Sequence, residues 1–228
     1  LYVYRNLNKI SQSPMSVYFK NDNLYLMCSS PERYIKKKNN KLISQPIKGT
    51  SRRGVSNVSD LAFKENLKTD PKERSENIMI VDLVRNDMSR FSKAGSVKVK
   101  ELCEVYPFKQ VHQMISTIES ELKDDIRINK IIEGTFPMGS MTGAPKVEAM
   151  KIIDELEATK RGLYSGAVGF IDPNKNFDFN VVIRSLIYDS YSKYLSFHVG
   201  SAITSKSIPE NEYVECLLKG NAMILALT

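Results

Sequence analysis

Along this chain, segments that favour strands and segments that favour helices come in mixed groups, without the one-for-one alternation that a parallel sheet with crossover helices needs. That order favours a layered α+β fold. "SVYFKNDNLYLMCSS" holds two β-prone runs around a polar turn and "RYIKKKNNKLISQPI" repeats the form, so residues 16 to 47 read as a β-meander. "SVKVKELCEVYPF" and "VHQMISTIESEL" read as strands, "DDIRINKIIEG" and "APKVEAMKIIDELEATK" as helices. Further on, "GLYSGAVGFID", "FDFNVVIRSLIYD" and "YLSFHVGSAI", separated by the turns "PNKN" and "SYSK", read as three successive antiparallel strands, and a last helix covers about residues 209 to 226.

The best-punctuated helix is "TDPKERSENIMIVDLVRNDMSRFSKAG". Asp70 is placed to cap it, Pro71 takes the first helical position and Glu73 completes a capping box. Ile78, Val81 and Met88 fall near helical spacing, so a helix is expected over residues 71 to 91.

With 228 residues, 42% of them hydrophobic, the chain can bury a core and reads as one globular unit over 1–228, without solenoid repeats or low-complexity linkers. It starts at Leu1 with neither a basic-then-apolar leader nor an apolar run of spanning length, so no signal peptide or membrane span is expected. Cys28, Cys103 and Cys216 are odd in number and far apart, which suits a reducing, cytoplasmic compartment better than a disulfide framework. The net charge of +7 fits nucleic acid, an anionic membrane surface or a small anionic substrate alike.

Several groups of residues could carry chemistry. Glu73 with Glu76, and Glu212 with Glu215, are carboxylate pairs three apart, each pair on one helix face. Facing each other they would make an all-oxygen site for a hard divalent cation; separately, each is an ordinary solvated acidic face. "FPMGSMTGAPK", residues 136 to 146, is a glycine-punctuated loop entering a helix, with Ser140, Thr142 and Lys146 near free N–H groups; it is an anion cradle or simply a cap, and not a Walker loop. Lys48, in "SQPIKGTSRRG" at an expected strand end, is either a lysine made reactive by its surroundings or a surface lysine beside Arg52 and Arg53. Glu32 in "SSPERY" is a general acid or a salt-bridge partner. His112 and His198 have no partner at zinc spacing and read as strand fillers. "KKKNNK" reads as a solvated hairpin tip.

In order along the chain, "SPERY", "PIKGTSRRG", "ENIMIVDLVRNDMSRFSKAGSVKV", "FPMGSMTGAPKVEAMKIIDELE", "GAVGFID", "IRS" and "PENEYVECLLK" resemble the C-terminal catalytic half of the chorismate-utilising enzymes, almost end to end. Within that family the lysine at 48 resembles the aminodeoxychorismate synthases; anthranilate and salicylate synthases carry alanine in "PIAGT" or "PLAGT". The resemblance implies a sandwich core of antiparallel sheets with helices packed outside, and an N-terminal half of the family that this chain lacks.

It further implies that Lys48 attacks C2 of chorismate as the C4 hydroxyl leaves, that Glu32 protonates that hydroxyl, and that ammonia at C4 then displaces the lysine. Glu76 and Glu215 would bind Mg²⁺, with Glu73 and Glu212 acting through its waters. Tyr164, Arg184 and the backbone around Gly200 would hold a substrate carboxylate, while Thr50, Thr142 and Lys219 line the pocket. A glutamine amidotransferase subunit would supply ammonia, on the path to para-aminobenzoate and folate. Three departures stand out: Gln113 where anthranilate and salicylate synthases keep histidine, Ala202 in "GSAI" where relatives have glycine, and Cys216 where threonine is usual. His112 lies one residue early and should point to the opposite sheet face. The alternatives are anthranilate or isochorismate/salicylate synthesis on the same fold and, in another class, a basic nucleic-acid-binding module, for which no binding motif is present.

Overall fold

Asp70 accepts hydrogen bonds from the backbone N–H groups of Lys72 (2.8 Å) and Glu73 (3.0 Å), satisfying two donors that the first turn of a helix cannot use itself. Pro71 then opens α3 (Pro71–Ser89). The N–H of Asp70 goes to the Leu67 carbonyl (3.4 Å), so the reciprocal arm expected from Glu73 is replaced by the end of the preceding helix. Replacing Asp70 with alanine is expected to cost about 1 kcal/mol of stability, read as a lower midpoint in urea at unchanged slope.

The computed structural model describes residues 1–205 and 207–228. Its helices are α1 (Tyr2–Ser11), α2 (Asn57–Thr69), α3, α4 (Ile128–Thr135), α5 (Lys146–Leu156) and α6 (Pro209–Leu225). Its strands are β1 (Met15–Asn21), β2 (Leu24–Ser30), β3 (Arg33–Lys38), β4 (Lys41–Gln45), β5 (Ile47–Arg52), β6 (Lys98–Pro107), β7 (Val111–Glu121), β8 (Ala167–Ile171), β9 (Phe177–Val181), β10 (Ser185–Asp189) and β11 (Tyr194–Ser196). This is an α+β fold with antiparallel sheets and helices. Among the described residues, no helix is long and apolar enough to cross a membrane.

The described residues form two compact units. The first takes in Leu1–Pro31, Arg161–Val168 and Val181–Thr228 and carries a four-stranded sheet in the order β1-β2-β10-β11, antiparallel throughout. β2 is buried on both faces because alternate residues serve different clusters. Met27 packs with Leu186, with Leu7 of α1 and with Ala222 and Met223 of α6, while Leu26 and Cys28 pack with Val182.

The second unit takes in Glu32–Lys160 and Gly169–Asn180 and carries the seven-stranded sheet. Its longest strand, β7, has β6 along one edge and β4 followed by β5 along the other. Leu67 of α2, Cys103 and Val105 of β6 and Met114 of β7 form one buried cluster.

Several expectations are corrected. Residues 16 to 47 are two hairpins in different sheets rather than one meander, since β1 pairs β2 and β3 pairs β4, while β2 takes β10 as its second neighbour. "FDFNVVIRSLIYD" is two strands, not one: β9 pairs β3 and β10 pairs β2, and the chain breaks at Arg184, whose φ is 51°. Only Tyr194–Ser196 of "YLSFHVGSAI" is strand. On α3 Ile78 is 37% exposed, and the inward face runs through Asn77, Ile80, Val81 and Met88. Helices α1 and α2 were not expected.

Candidate active site

Ser44 stands opposite Ile118 and Ile47 opposite Ile115, but Thr50 stands opposite Gln113, so Lys48 and Gly49 together face Met114. This is a β-bulge, a device that breaks side-chain alternation and re-aims one residue. Lys48 therefore lies inside β5, half-buried, rather than at a strand end. Gly49 has φ 101°, and a Cβ there would lie 3.1 Å from Met114 Cβ and 3.2 Å from Glu73 Oε2, so the position requires glycine.

Asn77 of α3 fixes the bulge. Its Nδ2 donates to the Lys48 carbonyl (3.1 Å) and the Met114 carbonyl (3.3 Å), and its Oδ1 accepts from Ser116 Oγ (2.5 Å). Asn77 is 1% exposed, and such a fully paired buried amide is rigid. On the same helix sit Glu73, half-buried and one turn earlier, and Glu76, buried and immediately before Asn77.

Glu32 follows Pro31 just before β3 and is 4% exposed. It lines a small cavity of about 20 Å³ with Tyr34, Ser44, Asp87, Thr135 and Ser140. The polar groups there largely serve one another. Tyr34 Oη and Thr135 Oγ1 are 2.5 Å apart, Ser44 Oγ donates to the Tyr34 carbonyl (2.6 Å), and Lys146 Nζ donates to Asp87 Oδ2 (2.5 Å). Burial pushes the Tyr34 phenol up to about 12 and raises the Asp87 carboxyl, the latter opposed by Lys146. Lys146 is thus committed to Asp87 rather than to an anion in the "FPMGSMTGAPK" loop. In that loop Thr142 Oγ1 donates to the Met138 carbonyl (3.0 Å), closing a 3-10 turn over Gly139–Met141.

His112 faces α2, where Nε2 lies 3.0 Å from Asp60 Oδ1. Asp60 also accepts two hydrogen bonds from Arg53 and one from the Gly54 N–H, and these hold its carboxyl well below the usual carboxylate range. His112 is therefore a structural tie between β7 and α2.

The first unit carries the remaining candidates. The Tyr164 ring stacks on His198 with centroids 5.5 Å apart and an interplanar angle of 21°, and the Arg161 guanidinium sits 5.9 Å from the ring centroid. A Cβ at Gly200 would lie 2.9 Å from Tyr164 Oη, so glycine lets the phenol approach the backbone. Arg184 holds its left-handed backbone at a cost on the order of 1–3 kcal/mol. Burial depresses its guanidinium pKa, opposed by Glu215 and Tyr164, yet arginine stays charged. On α6, the Ser201 hydroxyl reaches both Glu212 and Glu215 Oε2 (2.9 Å to the latter), its one proton serving either. Lys219 Nζ donates to Glu215 Oε1 (2.5 Å) and to the Gly200 carbonyl (2.9 Å). Burial raises the Cys216 thiol pKa, which disfavours its thiolate.

Among the described residues, no three His, Cys, Asp or Glu side chains form a metal-binding group. What α3 and α6 each offer is a pair of carboxylates one turn apart, an oxygen-only donor set chemically suited to Mg²⁺. The Asn77 clamp has no signal in the sequence, where Gln113 stands out only as a departure from relatives; the glycine after Lys48 is the one sign of a bulge.

This architecture is that of an α+β enzyme fold already known. It is similar to the crystal structure of anthranilate synthase component I from Streptococcus pneumoniae TIGR4, with a TM-score of 0.86 and 32% identity over 97% of this chain and 48% of that one. Residues 1–225 match the chorismate binding enzyme family, and the chain belongs to that family. It is 43% identical to aminodeoxychorismate synthase, chloroplastic, of Arabidopsis thaliana, over 96% of this chain and 24% of that protein. To anthranilate synthase component 1 of Geobacillus stearothermophilus it is 40% identical, over 99% of this chain and 44% of that protein. The chain spans between about a quarter and a half of the length of such relatives.

Proposed function

We propose that this chain aminates chorismate at C4 to give 4-amino-4-deoxychorismate, as the aminodeoxychorismate synthases among its relatives are named for doing. The observation that carries the reading is Lys48 at a clamped bulge, with the Glu73 carboxylate against the adjoining Gly49. A half-buried lysine on a fixed backbone can present its amine to carbon, which divides one hard substitution into two easier ones.

The Lys48 amine attacks C2 of the ring, the double bond shifts, and the C4 hydroxyl departs as water with a proton from Glu32. Hydroxide is a poor leaving group, so a buried acid beside it is required. Ammonia then adds at C4 and the C2–N bond breaks, returning Lys48. Arg184, Tyr164 and the backbone at Gly200 hold a substrate carboxylate, with Arg184 giving a charge-assisted pairing. Thr50, Thr142 and Lys219 line the substrate site. Glu76 and Glu73 of α3 and Glu215 and Glu212 of α6 are the residues that would hold Mg²⁺, which would supply positive charge to the ring carboxylate. A glutamine amidotransferase partner supplies the ammonia, and the product leads toward para-aminobenzoate and folate.

The chain incubated with chorismate, Mg²⁺ and an ammonium salt is expected to form the amino product. A fluorescent aromatic product instead would favour the anthranilate reading, to which the 40% identity with an anthranilate synthase gives weight. No product at all would remove both.

A further inference from the structure

Among the described residues, three buried side-chain atoms have no hydrogen-bond partner: His112 Nδ1, Gln113 Oε1 and His198 Nδ1. A buried carbonyl without a donor is costly, and one that persists points to a partner absent from the chain. The two histidines have other employment, His112 through Nε2 on Asp60 and His198 through its stack on Tyr164. Gln113 is 3% exposed, and its carbonyl oxygen is unused.

Its position narrows what the partner is. His112, Met114 and Ser116 on β7 face α2 and α3, where they meet Asp60, Leu67 and Asn77. Strand alternation turns Gln113 to the other face, and it shares that face with Thr50 directly opposite, two residues from Lys48. An amide carbonyl accepts and never donates, so its occupant must present a proton. Substrate carboxylates are acceptors and do not qualify. Ammonia does, with three N–H groups and a single lone pair that must point at carbon.

We infer that Gln113 contacts the incoming ammonia, its Oε1 accepting one N–H and thereby aiming the lone pair at C4. This rests on the amination reading above. A neutral amide suits the task because a carboxylate in its place would favour ammonium, which has no lone pair to donate. No proton passes to Gln113. In the step itself the new C4–N bond forms, the double bond shifts and the C2–N bond to the cationic, alkylated Lys48 breaks. Its electron pair returns to the lysine as a neutral amine, and the positive charge leaves on the product ammonium.

The test separates the two half-reactions in the whole chain. Mass analysis follows the chorismate adduct on Lys48 without ammonia, and steady-state turnover gives the KM for ammonium. For Gln113→Leu the adduct is expected to form within about twofold of the unsubstituted rate while the ammonium KM rises about tenfold or more, the loss of one hydrogen bond to the nucleophile. Gln113→Met, closer in length, should behave alike, and thermal melting by circular dichroism checks that both fold. An ammonium KM unmoved in both variants overturns the inference, as does a joint fall of adduct rate and ammonium dependence, or the unfolding of both. If the unsubstituted chain gives neither adduct nor product, the amination reading fails and this inference falls with it. Adduct and product with an unmoved KM remove this inference alone.

Discussion

Lys48→Ala is expected to abolish the chorismate adduct and to lower amination by at least about 10³-fold, measured as amino product with saturating chorismate and ammonium. Alanine removes the nucleophile but leaves the bulge intact, because the contact from Asn77 is to the backbone carbonyl of residue 48. Melting temperature should therefore change little. Lys48→Arg separates charge from nucleophilicity, since a guanidinium keeps the positive charge and cannot deprotonate to attack. It is expected to be as inactive as the alanine variant. A rate within tenfold of normal in either protein would mean that ammonia displaces the hydroxyl directly.

Glu32→Gln should cost about 10² to 10³ in turnover, within the usual range for removing a positioned proton donor. The effect should fall on adduct formation, because the proton is needed when the hydroxyl departs, and should leave the ammonium KM in place. Glutamine keeps the shape of this 4%-exposed side chain and removes its acidic proton, so the loss reports chemistry rather than packing. Single-turnover mixing with chorismate alone is the decisive measurement. An adduct that forms at the normal rate would move the proton donor elsewhere, with Asp87 and Tyr34 of the same cavity the next to examine.

Local rules were legible in the sequence and long-range pairing was not. The Asp70-Pro71 start of α3 shows itself because capping acts over three residues. The α2 helix hides because its apolar residues do not mark a buried stripe: Val58 and Leu61 are largely exposed and Leu67 alone is buried. The break between β9 and β10 hides because "VVIRSL" contains neither glycine nor proline, although Arg184 adopts a left-handed backbone that usually calls for glycine. β2 and β10 pair across more than 150 residues, which no local pattern announces. Motif order pointed to Lys48, Glu32 and the glutamates. The bulge beneath Lys48 and the open acceptor at Gln113 needed the register of β5 on β7.

The Asn77 side chain joins strand to helix at a single rigid hinge-pin. The peptide that carries Lys48 is tied through it to the helix that bears Glu73 and Glu76, so a shift of the strand is resisted by the helix and a shift of the helix by the strand.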